Sequence, residues 1–335
     1  MGAGTSSPMR RGSAAVAASL AGGRERVVDP KPLLIAAVST LPSRAGAPLR
    51  HSLSSWYGQI RPPDAVVLST PQQYKRGDLS VRPVAARPPP PHALLWQVSP
   101  QTDSGPGTKA LGALSTARAL ARAEPRRPAY LVLFDDDLTY DPHALLWVEQ
   151  SLARLPPRRR NATALTFCLY SLPCEGCYNR TEPSCRAAQH VCGANPLRNS
   201  RLVVGQGADL FVLPLAQLDG LEGFYRTALQ FEPRFFYHDD VWLSMWLQDV
   251  RRVGLRRMRY GAAERRTCQD GLAIHRRVPG LARDGLAALD GPLQRMELNR
   301  ALMAARLTMH AAGLLPHASL GPPGSSGQVV ELSRR

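Results

Sequence analysis

Asp135, Asp136 and Asp137 stand together at the end of a short apolar run, Tyr130-Leu131-Val132-Leu133-Phe134. The run has the length of a buried strand. No strand interior tolerates three adjacent unpaired acids, so the chain must leave the sheet there. Ligands of open α/β sheets sit at that edge, outside the carboxyl ends of the strands. Clustered carboxylates also repel one another, and a hard divalent cation relieves the repulsion. The pattern points to a metal site at the mouth of an α/β sheet. The competing reading is a turn rich in helix-capping acids ahead of Pro142.

Three further polar clusters fall at expected strand ends or helix starts. The first is Ser39-Thr40-Leu41-Pro42-Ser43-Arg44. The second is Asp103-Ser104-Gly105-Pro106-Gly107-Thr108-Lys109, and the third is His238-Asp239-Asp240. Lys109 follows a Gly-Pro-Gly turn at a helix start, a place suited to a phosphate or a ribose hydroxyl. The alternative for it is a solvated surface lysine. Asp103 would orient Lys109 or a bound nucleotide, or else serve only the turn.

The elements that must position these clusters follow from the apolar patterning. Leu33 to Val38 is a continuous apolar run, as expected of a parallel strand buried on both faces. Leu49 to Gln59 shows helical spacing at Leu49, Leu53, Trp56 and Tyr57. Ala65 to Ser69 is a second strand, which makes a β-α-β unit with a right-handed crossover. A Pro-rich loop at 83–91 precedes a strand at Ala93 to Val98. A helix at Ala110 to Ala123, the strand delivering the triplet, and a helix at Pro142 to Leu155 come next. A strand near Ala164 to Leu169, a strand entering the Gly205-Gln206-Gly207 turn, and a helix at Asp239 to Val250 complete the pattern. Trp242, Leu243, Trp246 and Leu247 are expected in the core. There is no internal repeat.

The ordered set of motifs resembles the GT-A glycosyltransferases, in particular family-two-like enzymes with a D-x-G-P-x-T-K motif. The matching segments are Ser39 to Arg44, Ser54-Ser55-Trp56-Tyr57-Gly58-Gln59, Tyr74-Lys75-Arg76, Asp103 to Lys109, Phe134-Asp135-Asp136-Asp137, and Asp239-Asp240-Val241-Trp242-Leu243-Ser244. Their order and spacing agree over roughly residues 33 to 260. The resemblance implies an α/β, Rossmann-like GT-A fold with a mostly parallel sheet flanked by helices. It is a single domain over 31–265, with a Cys-rich insertion at 170–199. A helical extension at 266–315 and a flexible tail at 316–335 follow, and a disordered segment, 1–30, precedes. The sequence departs from the pattern at Gly107, where the motif more often has Ala.

The activity implied is transfer of one sugar from a nucleotide-diphosphate sugar to an acceptor hydroxyl, with inversion. The acceptor would be a glycan, protein or lipid. Ser39, Thr40, Arg44, Asp103, Lys109, Asp135 and Asp136 would bind the nucleotide-sugar. Asp135 and Asp137 would hold a divalent cation against the leaving pyrophosphate. Alternate residues of an extended segment point to opposite sides, so Asp136 is expected to face the ribose or the fold. Oxygen-only ligands favour Mn2+ or Mg2+ over zinc. His275 is a candidate third metal ligand, with a surface histidine as the alternative. An acceptor hydroxyl needs a base. The resemblance places it at Asp239-Asp240, with Asp240 narrowly preferred and helix capping by one of the pair as the alternative.

Composition sets the remaining bounds. The chain has 335 residues, 44% of them hydrophobic, enough for a substantial core. A net charge of +16 is high, but much of it is Arg in Ala-, Pro- and Arg-rich stretches. No basic block with interleaved aromatics of the kind single-strand binders use is present, so nucleic acid is not an expected partner. No run reaches the length of a membrane-spanning helix. Of the six cysteines, Cys168, Cys174, Cys177, Cys185, Cys192 and Cys268, four crowd into 174–192 near the sequons at Asn161 and Asn179. Disulfides, a zinc knuckle and free thiols are all compatible with their spacing. The sequons and cysteines favour the secretory route slightly, the lack of an anchor opposes it, and localisation stays open. Two other function classes are compatible with parts of the pattern. One is a nucleotidyltransferase, which lacks its basic glycine loop near the first strand. The other is a basic, Cys-rich zinc and nucleic-acid module, which leaves the acid triplet unexplained.

Overall fold

The structure, a computed structural model, describes residues 30–75, 95–172, 202–258, 275–277 and 292–315. Apart from Pro30, these belong to one compact unit that begins at Lys31. The N-terminal 29 residues, the Pro-rich stretch 83–91, Arg76, Cys174, Cys177, Cys185, Cys192, Cys268, the sequon at Asn179 and the tail from 316 lie outside the described residues.

The centre of the fold is a seven-stranded sheet. Strands β1 (Leu33–Ser39), β2 (Ala65–Ser69) and β3 (Leu95–Val98) run side by side and parallel, and β4 (Ala129–Leu133) lies parallel on the other flank of β1. A short β5 (Leu138–Tyr140) follows β4. Beyond it come β6 (Thr163–Thr166), β7 (Leu169–Leu172), β8 (Leu202–Gly205), β9 (Phe211–Pro214), β10 (Gly254–Arg257) and β11 (His275–Arg277). The large sheet has the order β10-β6-β9-β4-β1-β2-β3. Only β9 runs against its neighbours β4 and β6. Strands β7 and β8 pair separately, as do β5 and β11. This is the Rossmann-like, mostly parallel α/β sheet expected of the apolar runs.

The runs lack alternation because both faces of the central strands are covered. Leu33, Ile35 and Ala37 share one core with Ala110, Ala113, Leu114 and Ala117 of α2 (Thr108–Ala123). Leu34, Ala36 and Val38 share the other with Leu49, Leu53 and Trp56 of α1 (Ala47–Tyr57) and Leu145, Val148 and Leu152 of α3 (Ala144–Ala153). A one-turn α4 (Pro157–Arg160) leads into β6. The helix α5 (Leu221–Phe231) buries Leu221, Phe224, Tyr225 and Ala228, spaced by three and four residues. It packs with α6 (Asp239–Met245), whose Trp242 ring lies tilted against Tyr225, with ring centroids 4.8 Å apart.

Three segments differ from the sequence reading. The expected strand at 164–169 is two, β6 and β7, separated at Phe167-Cys168. They pair in different sheets: β6 stays in the large sheet while β7 leaves it for β8. The expected helix 239–250 is α-helical only to Met245 and continues as a π turn, Trp246–Val250. The wider turn carries Asp249 to a buried ion pair with Arg306 of α7 (Pro292–Ala311), both contacts at 2.7 Å. The helix expected from Pro142 starts at Ala144 because Asp141 first closes a turn onto the His143 N–H.

At the edge where the strands start, Asp64 accepts from the Leu34 N–H and pairs with Arg61 and Arg127, while Arg61 also reaches Glu149. That network fastens the loops before β1, β2 and β4, away from the opposite edge that carries the acid triplet. No helix among the described residues is long and apolar enough to cross a membrane.

Candidate active site

The chain places β2 and β3 on one side of β1 and β4 on the other. The order of strands therefore reverses between β1 and β4, and a crevice opens outside their carboxyl ends. The register pairs Ala37 with Leu133, so the two strands deliver their terminal loops side by side. Ser39 ends β1, Thr40 and Arg44 follow it, and Asp135-Asp136-Asp137 follow β4.

Each acid of the triplet has its own surroundings. Thr40 Oγ1 donates to Asp136 Oδ2 at 2.6 Å, and the Arg44 guanidinium donates to Asp136 Oδ1 at 3.0 Å. Asp136 thus faces the β1 loop, one of the two orientations expected of it. Arg44 also approaches Asp137 Oδ2 at 3.4 Å. Burial opposes the Arg44 charge, but the Asp136 and Asp137 carboxylates outweigh it and hold the guanidinium protonated. Asp135 lies on the other side, with Oδ1 2.6 Å from Lys109 Nζ. Its backbone is fixed twice: its N–H donates to the Tyr140 hydroxyl, and its carbonyl accepts from Ser52 Oγ.

Lys109 is not a solvated lysine. It is 4% exposed, between Asp135 at the end of β4 and Asp239 Oδ2, 3.2 Å away at the start of α6. Burial works against its charge, and Asp135, Asp239 and Asp240 together reverse that and raise its proton affinity. Lys109 reaches this place because the turn before it is unusually close-packed. Gly105 has φ +65°, and a Cβ there would lie 1.9 Å from the Phe236 carbonyl oxygen. A Cβ at Gly107 would lie 2.4 Å from the Trp242 ring. The departure from the motif at Gly107 thus has a steric reason: this chain fills the space with Trp242. Asp103 holds the same turn, accepting from the Gly105 N–H, Thr108 Oγ1 and the Lys75 N–H.

At α6, His238 occupies the N-cap position, and the two acids fall in the first helical turn. They suit the positive end of the helix there, but their closest polar contacts lead elsewhere. Asp239 meets Lys109, and Asp240 Oδ1 accepts from the Gly207 N–H at 2.8 Å. Burial and the neighbouring Asp239 charge raise the Asp240 proton affinity well above the ordinary carboxylate range, while Lys109 and the Gly207 N–H oppose them.

Contacts that the spacing of the sequence does not reveal complete the site. Gly207 leaves room for the Asp240 carboxylate and Lys109 Nζ, 3.0 and 3.1 Å from where its Cβ would be. Tyr140 donates to the Ala208 carbonyl as well as accepting from Asp135, so it links the triplet to the Gly207 loop. Tyr74 donates to the Thr40 carbonyl. Strand β11 pairs antiparallel with β5 and sets His275 opposite Tyr140, on the strand that directly follows the triplet.

The donors suit a hard divalent cation. Asp135, Asp136, Asp137, Asp239 and Asp240 outnumber the cations Lys109 and Arg44, and Asp135 and Asp137 are the more exposed of the triplet, at 33% and 20% of their side chains. Among the described residues no three His, Cys, Asp or Glu form a metal cage by themselves. Mg2+ is commonly held by one or two carboxylates completed by substrate phosphates, so two acids at an open mouth are sufficient. Cys168, next to this region, is disulfide-bonded, and every other cysteine lies outside the described residues. Its carbonyl accepts from the Gln206 N–H, one residue before Gly207.

No protein-family pattern matches the chain, and no curated protein sequence matches it. Solved structures similar to it include the mannosyltransferase PcManGT from Pyrobaculum calidifontis in complex with GDP-Man and Mn2+. That match is 16% identical, covers 85% of this chain and 76% of that one, and has a TM-score of 0.42. Mouse xyloside xylosyltransferase 1 in its apo form is 13% identical over 68% of this chain and 84% of that one, with a TM-score of 0.30. At these values the likeness decides neither substrate nor mechanism.

Proposed function

We propose that the chain is a glycosyltransferase that moves a sugar from a nucleotide-diphosphate sugar to an acceptor hydroxyl, with inversion. One observation carries this reading: Lys109 is buried between the acids that end β4 and those that begin α6, at the point where strand order reverses. Such a crevice takes nucleotides, and among the described residues its acids exceed its cations, which suits a cation-bridged pyrophosphate.

Asp135 and Asp137 would hold Mn2+ or Mg2+, with His275 a further candidate. The bound ion would neutralise charge developing on the departing diphosphate. Arg44 and Thr40 hold Asp136 in place, which keeps the middle of the triplet from turning into the mouth. Lys109 fixes Asp135 and Asp239 relative to each other and supplies positive charge beside the phosphates. Ser39, Thr40 and Asp103 border the nucleotide. Asp240 takes the proton of the acceptor hydroxyl as its oxygen attacks the anomeric carbon. Burial and the neighbouring Asp239 charge raise its proton affinity above that of an ordinary carboxylate, which favours a general base.

Isothermal titration with UDP and GDP, each with and without Mn2+, tests the reading on the wild type and on Asp137→Ala. One nucleotide should bind in a metal-dependent way, and the variant should lose that dependence. Absence of binding by both nucleotides in Mn2+ would overturn the proposal.

A further inference from the structure

The acceptor has no assigned partner in the site, and an exposed aromatic side chain, Tyr237, lies three residues before the proposed base. Tyr237 is 39% exposed, among the few large apolar side chains that reach solvent in the described residues. It is two residues before Asp239 and three before Asp240. A chain spans at most about 3.3–3.6 Å per residue, so Tyr237 lies within roughly one to two sugar rings of Asp240.

The segment carrying Tyr237 is held firmly. Pro233–Tyr237 forms a 3-10 turn. Glu232 accepts from the Arg234 N–H at its start and forms two 2.7 Å bonds with the Arg234 guanidinium. Phe235 is fully buried, and the Phe236 carbonyl fits against the space left by the missing side chain of Gly105. The Phe236 ring meets Tyr237 edge-on at 4.9 Å. Packing thus accounts for Phe235 and Phe236 and leaves Tyr237 at the surface. A face of a pyranose presents polarised C–H groups, which suit the negative face of an aromatic ring, and a preset ring loses little entropy on binding.

We propose that Tyr237 is the acceptor platform, and that the acceptor is a saccharide whose ring stacks on it, rather than a peptide or lipid hydroxyl. The inference rests on the transferase reading.

The test uses the full chain with Mn2+ and whichever of UDP or GDP binds, and a panel of methyl glycosides of mannose, galactose, glucose and xylose as probes. Saturation-transfer NMR and titration are run on wild type, Tyr237→Ala and Tyr237→Trp. At least one glycoside should receive saturation at its ring C–H protons. Tyr237→Ala should weaken it about threefold to tenfold, the range expected of one aromatic contact. Tyr237→Trp should retain it, and nucleotide affinity should be the same in all three, which also shows that each variant is folded. If nucleotide binds but no glycoside does, or Tyr237→Ala binds glycosides as wild type does, the platform is overturned and the transferase reading stands. If no nucleotide binds, both fall.

Discussion

Asp239 and Asp240 are adjacent and of one type, yet the fold gives them different work. Asp239 is tied to Lys109, whereas Asp240 accepts a neutral backbone N–H and keeps a high proton affinity. Asp240→Asn should reduce sugar transfer by about 10²- to 10⁴-fold, the usual worth of a positioned base, while nucleotide affinity by titration stays within about twofold. The pH profile follows from the same asymmetry. As the proposed base, Asp240 would have to be deprotonated to accept the hydroxyl proton, so kcat/KM should rise with pH through an apparent pKa above the ordinary carboxylate value of about 4. An acid limb at the ordinary carboxylate value would contradict Asp240 as the base.

Helices α2, α6 and α7 set where these residues stand. The turn before α2 packs without clearance on Trp242 of α6, which is fully buried and cannot yield. Gly107→Ala, although it restores the commoner motif residue, should cost about 1–3 kcal/mol by overpacking. Urea unfolding should show a lower midpoint with an unchanged slope. At the far end of α6, the π turn carries Asp249 to Arg306, and His310 Nε2 is 3.7 Å away. Burial raises the Asp249 proton affinity, but Arg306 and His310 outweigh it and hold the carboxyl below its usual range. The pair therefore stabilises the fold above the ordinary carboxylate pKa, and its contribution fades as pH falls through the lower folded value. Arg306→Met should leave a buried charge and cost about 3–5 kcal/mol at neutral pH. The acid-unfolding midpoint, followed by circular dichroism, should move to higher pH.

At the scale of the whole molecule, the two edges of the sheet divide the labour. The strand-start edge closes its charges in the Asp64 network, with acids and arginines in mutual contact. Among the described residues the strand-end edge carries more acids than cations, and Lys109 and Arg44 pair with several of them. Thermal unfolding should register this. Mn2+ with the cognate nucleotide at about 100 times its Kd should stabilise the chain by roughly 2.7 kcal/mol, a Tm rise of several degrees. In Asp137→Ala the Mn2+-dependent part of the rise should vanish while the ligand-free Tm changes little, since Asp137 is a partly exposed member of the triplet.

The sequence by itself determined the central strands β1, β2 and β4, because burial on both faces writes an unbroken apolar run, and it determined that acids must follow β4. It also marked the glycines and acids of the later site by their types and order. Helix α5 was not read from the sequence, although Leu221, Phe224, Tyr225 and Ala228 keep a helical spacing. Tertiary structure decided the rest. Strand β9 is a four-residue apolar piece, Phe211–Pro214, whose antiparallel place between β4 and β6 depends on partners far away in the chain. The burial of Lys109 depended on α6 arriving opposite it, which no local pattern encodes. The different fates of Asp239 and Asp240 were also beyond the sequence, because the groups that separate them, Lys109 and the Gly207 N–H, come from segments that meet only in the folded chain.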